Sequence, residues 1–125
     1  YAMGFRNPFR FSVDPADGTL YAADYGPDAG SDNAARGPAA TVEWNIIKQP
    51  GFYGWPYCVG DNIPYRDYNY ATGQSGPSFN CASPVNDSPN NTGITNLPAA
   101  KKADVWYGNG ANGGKFPEMG DGGEA

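Results

Sequence analysis

Residues 9–13 read Phe, Arg, Phe, Ser, Val. Large apolar side chains alternate with polar ones there, the two-residue period of a half-buried strand. Residues 19–24 return with a second stretch, and "DPADG" (14–18) lies between them. Pro15 presets φ and Gly18 supplies a positive φ, so the pattern predicts a hairpin closed by a tight turn. A loop follows from Tyr25 to about Ala40. The longest stretch free of Gly and Pro covers residues 39–49, and it holds Thr41, Val42, Trp44, Ile46 and Ile47. β-Branched and aromatic residues favour strand over helix, so residues 42–47 are predicted as a third strand. Residues 49–56 ("QPGFYGWP") read as a compact turn region. Residues 58–100 carry few strand signals and a polar run, "NDSPNNTG", and are predicted as a loop excursion over the surface. Another strand begins in residues 103–107, and the glycine-rich chain from Gly108 has no readable element. Short antiparallel strands joined by long loops predict an all-β fold of the sandwich or propeller kind. About three strands do not close a domain, so the pattern predicts a piece of a larger one.

Composition sharpens that expectation. Leu, Ile, Val and Phe make up about 14% of the 125 residues, below the ~20% at which disorder is normally read. The net charge of −5 is modest and aromatics reach 14%, which disordered chains lack. With 18 glycines and 12 prolines, the chain reads as ordered, loop-rich structure that takes part of its core from elsewhere. It starts at Tyr1 and stops at "GDGGEA", consistent with a fragment. Eight basic residues and a pI near 4.4 argue against nucleic acid, which needs a basic footprint. No apolar run approaches the ~18 residues of a membrane span.

The candidate chemistry is narrow. There is no histidine, which removes histidine-based triads and metal sites from these residues. Cys58 and Cys81 are the only cysteines and lie 23 residues apart. Their Asn-, Gly-, Pro- and Tyr-rich surroundings favour a disulfide over two free buried thiols. The bridge implies an oxidising compartment, hence an exported protein. "GNGANG" (108–113) fits a GxGxxG pattern, but Pro117 and further glycines follow where a nucleotide site requires a helix; it reads as a loop. Asp24, Asp28, Asp32, Glu43 and Asp61 lie in or beside loops. Composition favours solvated charge for them over calcium binding, and no spacing fixes a carboxylate pair for glycoside hydrolysis. Arg6 reads first as a solvated charge and second as a planar fork for an anion. Trp44, Tyr53, Trp55 and Tyr57 read as core more readily than as a sugar platform.

Taken in order, "GFRNPFRFSVDPADGTLYAADYGPD", "VEWN" and "GFYGWPYC" resemble the glucose/sorbosone dehydrogenase family. Its members are six-bladed β-propellers related to soluble quinoprotein sugar dehydrogenases that use pyrroloquinoline quinone (PQQ) and calcium. The resemblance covers residues 4–57. It implies that residues 1–125 are a partial propeller domain, about one blade plus part of the next, with 58–100 as a disulfide-tied excursion. It implies that Arg6 pairs with a carboxylate or quinone oxygen of PQQ and that Asn7 hydrogen-bonds it. It assigns the carbonyls of Gly26 and Pro27 to the calcium that polarises the quinone. Glu43, with Tyr53 and Asp61 beside it, corresponds to a second, structural calcium site. The implied partners are a sugar substrate and the remaining blades. The chain departs from the pattern in three ways. Phe9 and Arg10 stand where quinone enzymes carry Gln-Gly, an insertion occupies about 29–41, and the family's catalytic histidine lies upstream of RNP. No catalytic residue is therefore assigned within this chain. Two other readings stand beside it: an extracellular propeller that binds carbohydrate or protein without redox chemistry, and a piece of a glycoside hydrolase.

Overall fold

The computed structural model describes residues 1–108; "GNGANG" beyond Gly108 lies outside them. The described residues are all-β, without a helix. The main sheet has four antiparallel strands: β2 (Arg10–Val13), β3 (Leu20–Tyr25), β4 (Thr41–Ile47) and β10 (Val105–Gly108), in spatial order β10-β4-β3-β2. It is an up-and-down meander whose last strand arrives only after a long excursion. The predicted turn closes β2 onto β3: Gly18 has φ 75°, and its amide donates to the Asp14 carbonyl at 2.8 Å.

The register decides which residues share a face. One face carries three rows across the sheet: Val13–Leu20–Ile47, Phe11–Ala22–Asn45, and Asp24–Glu43–Trp106. Its Ile47 end is covered by the chain start. There β1 (Ala2–Met3) pairs in parallel with β5 (Gly51–Phe52), and Ala22, Ile47 and Tyr53 form a buried cluster with Ala2, Phe5 and Leu20 against it. The other face carries Ser12–Tyr21–Ile46, Arg10–Ala23–Trp44–Val105 and Tyr25–Val42–Tyr107. It is largely apolar, yet Tyr21, Trp44 and Ile46 are 40%, 43% and 44% exposed. Trp44, expected in the core, is therefore half open, whereas Tyr53 is buried. At the sheet edge every residue of β2 is exposed, including Phe11 at 71% and Val13 at 53%.

The excursion is more structured than its composition predicts. It begins with the short pair β6 (Cys58–Val59) and β7 (Ile63–Pro64), followed by the hairpin β8 (Arg66–Asn69) and β9 (Gln74–Ser78). At the hairpin tip the Asn69 side-chain oxygen accepts the amides of Ala71 and Thr72, and Gly73 has φ 71°. Cys58 and Cys81 are bonded, with Cα atoms 6.0 Å apart, inside a second core of Phe52, Cys58 and Ala100. No helix among the described residues is long and apolar enough to cross a membrane.

Candidate functional site

The opening RNP segment is fixed by one carboxylate. Asp24, at the end of β3, accepts the Arg6 amide at 3.0 Å and the Asn7 amide at 2.7 Å, one on each oxygen. The Asn7 carbonyl in turn accepts the amides of Phe9 at 2.8 Å and Tyr25 at 3.1 Å. Both side chains of the pair stay exposed. The Arg6 guanidinium reaches over the strand exit and donates to the Gly26 carbonyl at 3.0 Å, with a longer approach of 3.5 Å to that of Tyr25. Gly26 itself is required by space, because a Cβ there would overlap the backbone carbonyl of Thr41. Two residues assigned by resemblance to separate ligands, Arg6 and Gly26, thus meet in one cluster. Asp24, expected to be a solvated charge, is instead buried and holds the Arg6 backbone.

Next to this clamp lies a buried polar group. Asp24 and Glu43 are direct cross-strand partners, and Trp106 pairs with Glu43 from the other side. Both carboxylates are buried. Glu43 accepts a hydrogen bond from the Gly60 amide. Burial pushes its pKa up to about 7, with the nearby Asp24 charge adding to the effect; the Gly60 amide and Asn45 oppose it. Asp24 is also raised, because burial outweighs its bonds from Arg6 and Asn7 and the Arg6 charge. Burial, assisted by Glu43, pushes Tyr65 up to about 12, while Arg6 opposes. Arg6, Asp24, Glu43 and Tyr65 therefore share one electrostatic neighbourhood. Both amide atoms of Asn45, the Tyr65 hydroxyl and the Trp106 indole nitrogen are buried there without a protein hydrogen-bond partner. Buried polar atoms are ordinarily paired, so this is where a bound water or ligand atom is to be looked for.

The remaining predicted residues lie elsewhere. The Pro27 carbonyl accepts the Ala29 amide at 2.8 Å. The Tyr53 ring stacks on Phe5 at 4.9 Å in the apolar core. Asp61 follows Gly60 and pairs with Lys102 at 2.9 Å. The side chains of Glu43, Tyr53 and Asp61 thus occupy three different surroundings, and no group of three or more His, Cys, Asp or Glu side chains placed to hold a metal occurs among the described residues. Asp32, expected to be a solvated loop charge, accepts the Ala39 amide at 2.7 Å and fastens the inserted loop. The carboxylate pair that no spacing could fix does form, as Asp24 and Glu43, but it is buried and not presented to a glycosidic bond.

The clamp suits an anion. An exposed guanidinium, with one nitrogen held on a carbonyl, keeps further N–H donors for a carboxylate. For calcium the loop offers two carbonyl oxygens, those of Gly26 and Pro27, against the six to eight that the ion takes. Each already accepts one N–H bond and retains a second lone pair. Comparison with protein-family models, with curated proteins and with solved structures finds no match.

Proposed function

We propose that the chain is a blade, with its inserted loops, of a secreted propeller similar to the quinoprotein sugar dehydrogenases, and that its Arg6–Asn7 corner binds the quinone. The observation that carries the reading is the Asp24 clamp, which fixes the Arg6–Asn7 backbone at a strand mouth and brings Arg6 onto Gly26. Support for the fold comes from the four-stranded meander with apolar residues on both faces, the form of a sheet packed between two others. The disulfide fits an oxidising compartment.

On this reading the quinone would supply the hydride acceptor for oxidation at the anomeric carbon of a sugar. Arg6 binds one of its carboxylates, and Asn7 supplies a side-chain hydrogen bond that orients it. Asp24 acts as a positioning residue, since its two backbone contacts set where Arg6 and Asn7 begin. Gly26 and Pro27 would offer carbonyl oxygens to calcium; Glu43 is the residue that the resemblance gives to a structural calcium, but Tyr53 and Asp61 lie in separate surroundings and do not complete a site with it. No residue of this chain is assigned as the base for the hydroxyl proton; on the resemblance that role falls to a histidine of another blade.

The test is reconstitution of the full-length apo-protein with PQQ and calcium, followed by absorbance. Arg6→Ala is expected to weaken quinone binding roughly tenfold to a hundredfold, because a charge-assisted hydrogen bond contributes about 1.5–3 kcal/mol. Asp28→Ala, at an exposed loop position, is expected to leave it unchanged. If the wild-type protein takes up no quinone at saturating calcium, the dehydrogenase reading fails and a propeller without redox chemistry replaces it. If it binds quinone but Arg6→Ala matches wild type, the assignment of Arg6 is wrong.

A further inference from the structure

The inserted loop and the disulfide-tied excursion face each other across a cleft of about 600 Å³. Its lining includes Arg36, Trp55, Tyr65, Asp67, Tyr68 and Tyr70. The aromatic rings are set at steep angles to one another. Trp55 and Tyr65 meet edge to face at 5.7 Å, and Tyr68 and Tyr70 at 5.1 Å. Arg36, from the loop, locks the second pair. Its guanidinium carbon lies 4.1 Å from the Tyr68 ring centre and 5.0 Å from that of Tyr70, and Nη2 donates to the Tyr70 hydroxyl at 2.8 Å. Tyr70 is nonetheless 79% exposed at the tip of the β8–β9 hairpin. Little packing accounts for its place, and a surface arginine holds it in one orientation. Arg66 is likewise fixed, with Nε on Ser75 Oγ at 2.8 Å and on the Gly76 carbonyl at 3.0 Å.

We infer that this cleft is a saccharide-binding site, in which the Tyr70 and Trp55 rings stack on pyranose faces and Arg36, Arg66 and Asp67 hydrogen-bond ring hydroxyls. A pyranose offers an apolar C–H face and a polar rim, and amphipathic aromatic side chains beside fixed polar groups match both. Donors and an acceptor stand together, as vicinal hydroxyls require. Two guanidinium groups against one carboxylate disfavour a cationic ligand, so the rings are not a cage for an ammonium group. A proline-rich peptide also docks on aromatic grooves. It asks for few polar contacts, whereas here the charged groups are held in place beside the rings. Pre-orientation of Tyr70 by Arg36 lowers the ordering cost of binding. The cleft borders the quinone corner at Pro27, but neither Arg6 nor Gly26 lines it.

The experiment uses the full-length protein without PQQ or calcium. Hexasaccharides of glucose, xylose, N-acetylglucosamine and galacturonic acid, and a ten-residue polyproline peptide, are titrated while tryptophan fluorescence and heat are recorded. At least one hexasaccharide is expected to bind saturably and to change the emission, because Trp55 lines the cleft. Tyr70→Ala is expected to weaken that binding about tenfold or more, as loss of an anchoring aromatic does, and Arg36→Ala to weaken it as well. Tyr70 is exposed, so its variant should keep the wild-type circular dichroism. Tyr70→Phe, which keeps the ring, should retain most of the affinity. Absence of binding to every sugar, or binding unmoved by both alanine variants, overturns the inference. Binding of polyproline alone overturns it in favour of a peptide groove. Sugar binding with no quinone uptake would leave this site standing and sink the dehydrogenase reading.

Discussion

Glu43 ties the fold to pH. Its carboxyl is buried and titrates near 7 in the folded chain against 4.5 when free. Between those values the folded state binds more protons than the unfolded state, so stability falls as pH rises. The stabilisation is complete below about 4.5 and is lost as pH passes through about 7, a loss on the order of 3 kcal/mol. Asp24 is raised too and works in the same direction. In urea unfolding of the calcium-free protein, wild type should lose stability from pH 5 to pH 8. Glu43→Gln, which still offers an oxygen to the Gly60 amide, should show a flatter profile and be the more stable of the two at pH 8. A wild-type profile that rises over this range would remove the buried-acid account. Millimolar calcium adds a second discrimination: if Glu43 is a metal ligand, calcium stabilises wild type at pH 8 by more than it stabilises the glutamine variant. Gly26 makes a simpler test. Its alanine variant must push β3 and β4 apart at Thr41, an overpacking that costs about 1–3 kcal/mol. Wild-type stability for Gly26→Ala would show that this exit has slack. The resemblance pointed to Arg6, Asn7, Gly26 and Glu43, but nothing in the sequence paired Glu43 with Asp24. Burial of two acids is set by strand register and by the chain that covers them, and neither is local. Flush pairing of residues 19–24 with 42–47 would set Asp24 against Val42; the observed register is shifted by one residue and sets it against Glu43.

Among the elements, legibility followed the hydrophobic pattern. Residues 9–13, 19–24, 42–47 and 103–107 were readable because apolar side chains alternate there or β-branched residues cluster, and all four became strands of the main sheet within a residue or two. The β8–β9 hairpin was not readable. Arg66–Asn69 and Gln74–Ser78 are mostly polar, with Gly76 and Pro77 in the second strand, and neither buries a continuous face. The two-residue parallel ladder of β1 and β5 is too short for any period to appear. Long-range ties hold the excursion beside its small core: the disulfide, and the Ala100 amide on the Cys81 carbonyl at 2.7 Å. Protein made in an oxidising compartment should therefore have an intact mass two protons below that of the reduced chain. Two alkylatable thiols in the native protein would contradict the bond. The double variant Cys58→Ser/Cys81→Ser should lose about 2–5 kcal/mol and should be cut by protease within the hairpin sooner than wild type. Equal protease resistance would show that hydrogen bonds alone hold the excursion.

At the scale of the whole molecule, the main sheet leaves apolar side chains without cover on both sides. Tyr21, Trp44 and Ile46 form an exposed stripe on one face, and Phe11 and Val13 extend the other at the edge strand. Contiguous apolar surface of this kind marks an interface, and an unprotected edge strand invites pairing with another chain. On the propeller reading the occupants are the flanking blades, which would bury the stripe at a gain of roughly 25 cal/mol per Å². The 125-residue chain by itself should then bind a hydrophobic dye and associate as its concentration rises, despite the net charge of −5 that opposes association. Replacing Trp44 and Ile46 by serine should reduce both effects while the circular dichroism of the sheet persists, since neither side chain belongs to the buried clusters. In a longer chain carrying the neighbouring blades, dye binding and association should vanish, and Trp44 should become inaccessible to a soluble quencher such as acrylamide. A monomeric isolated chain with one cooperative unfolding transition, no dye binding and a freely quenched Trp44 in the longer protein would mean that nothing packs on this face. The sheet would then be an autonomous domain, and the blade assignment would fall with it.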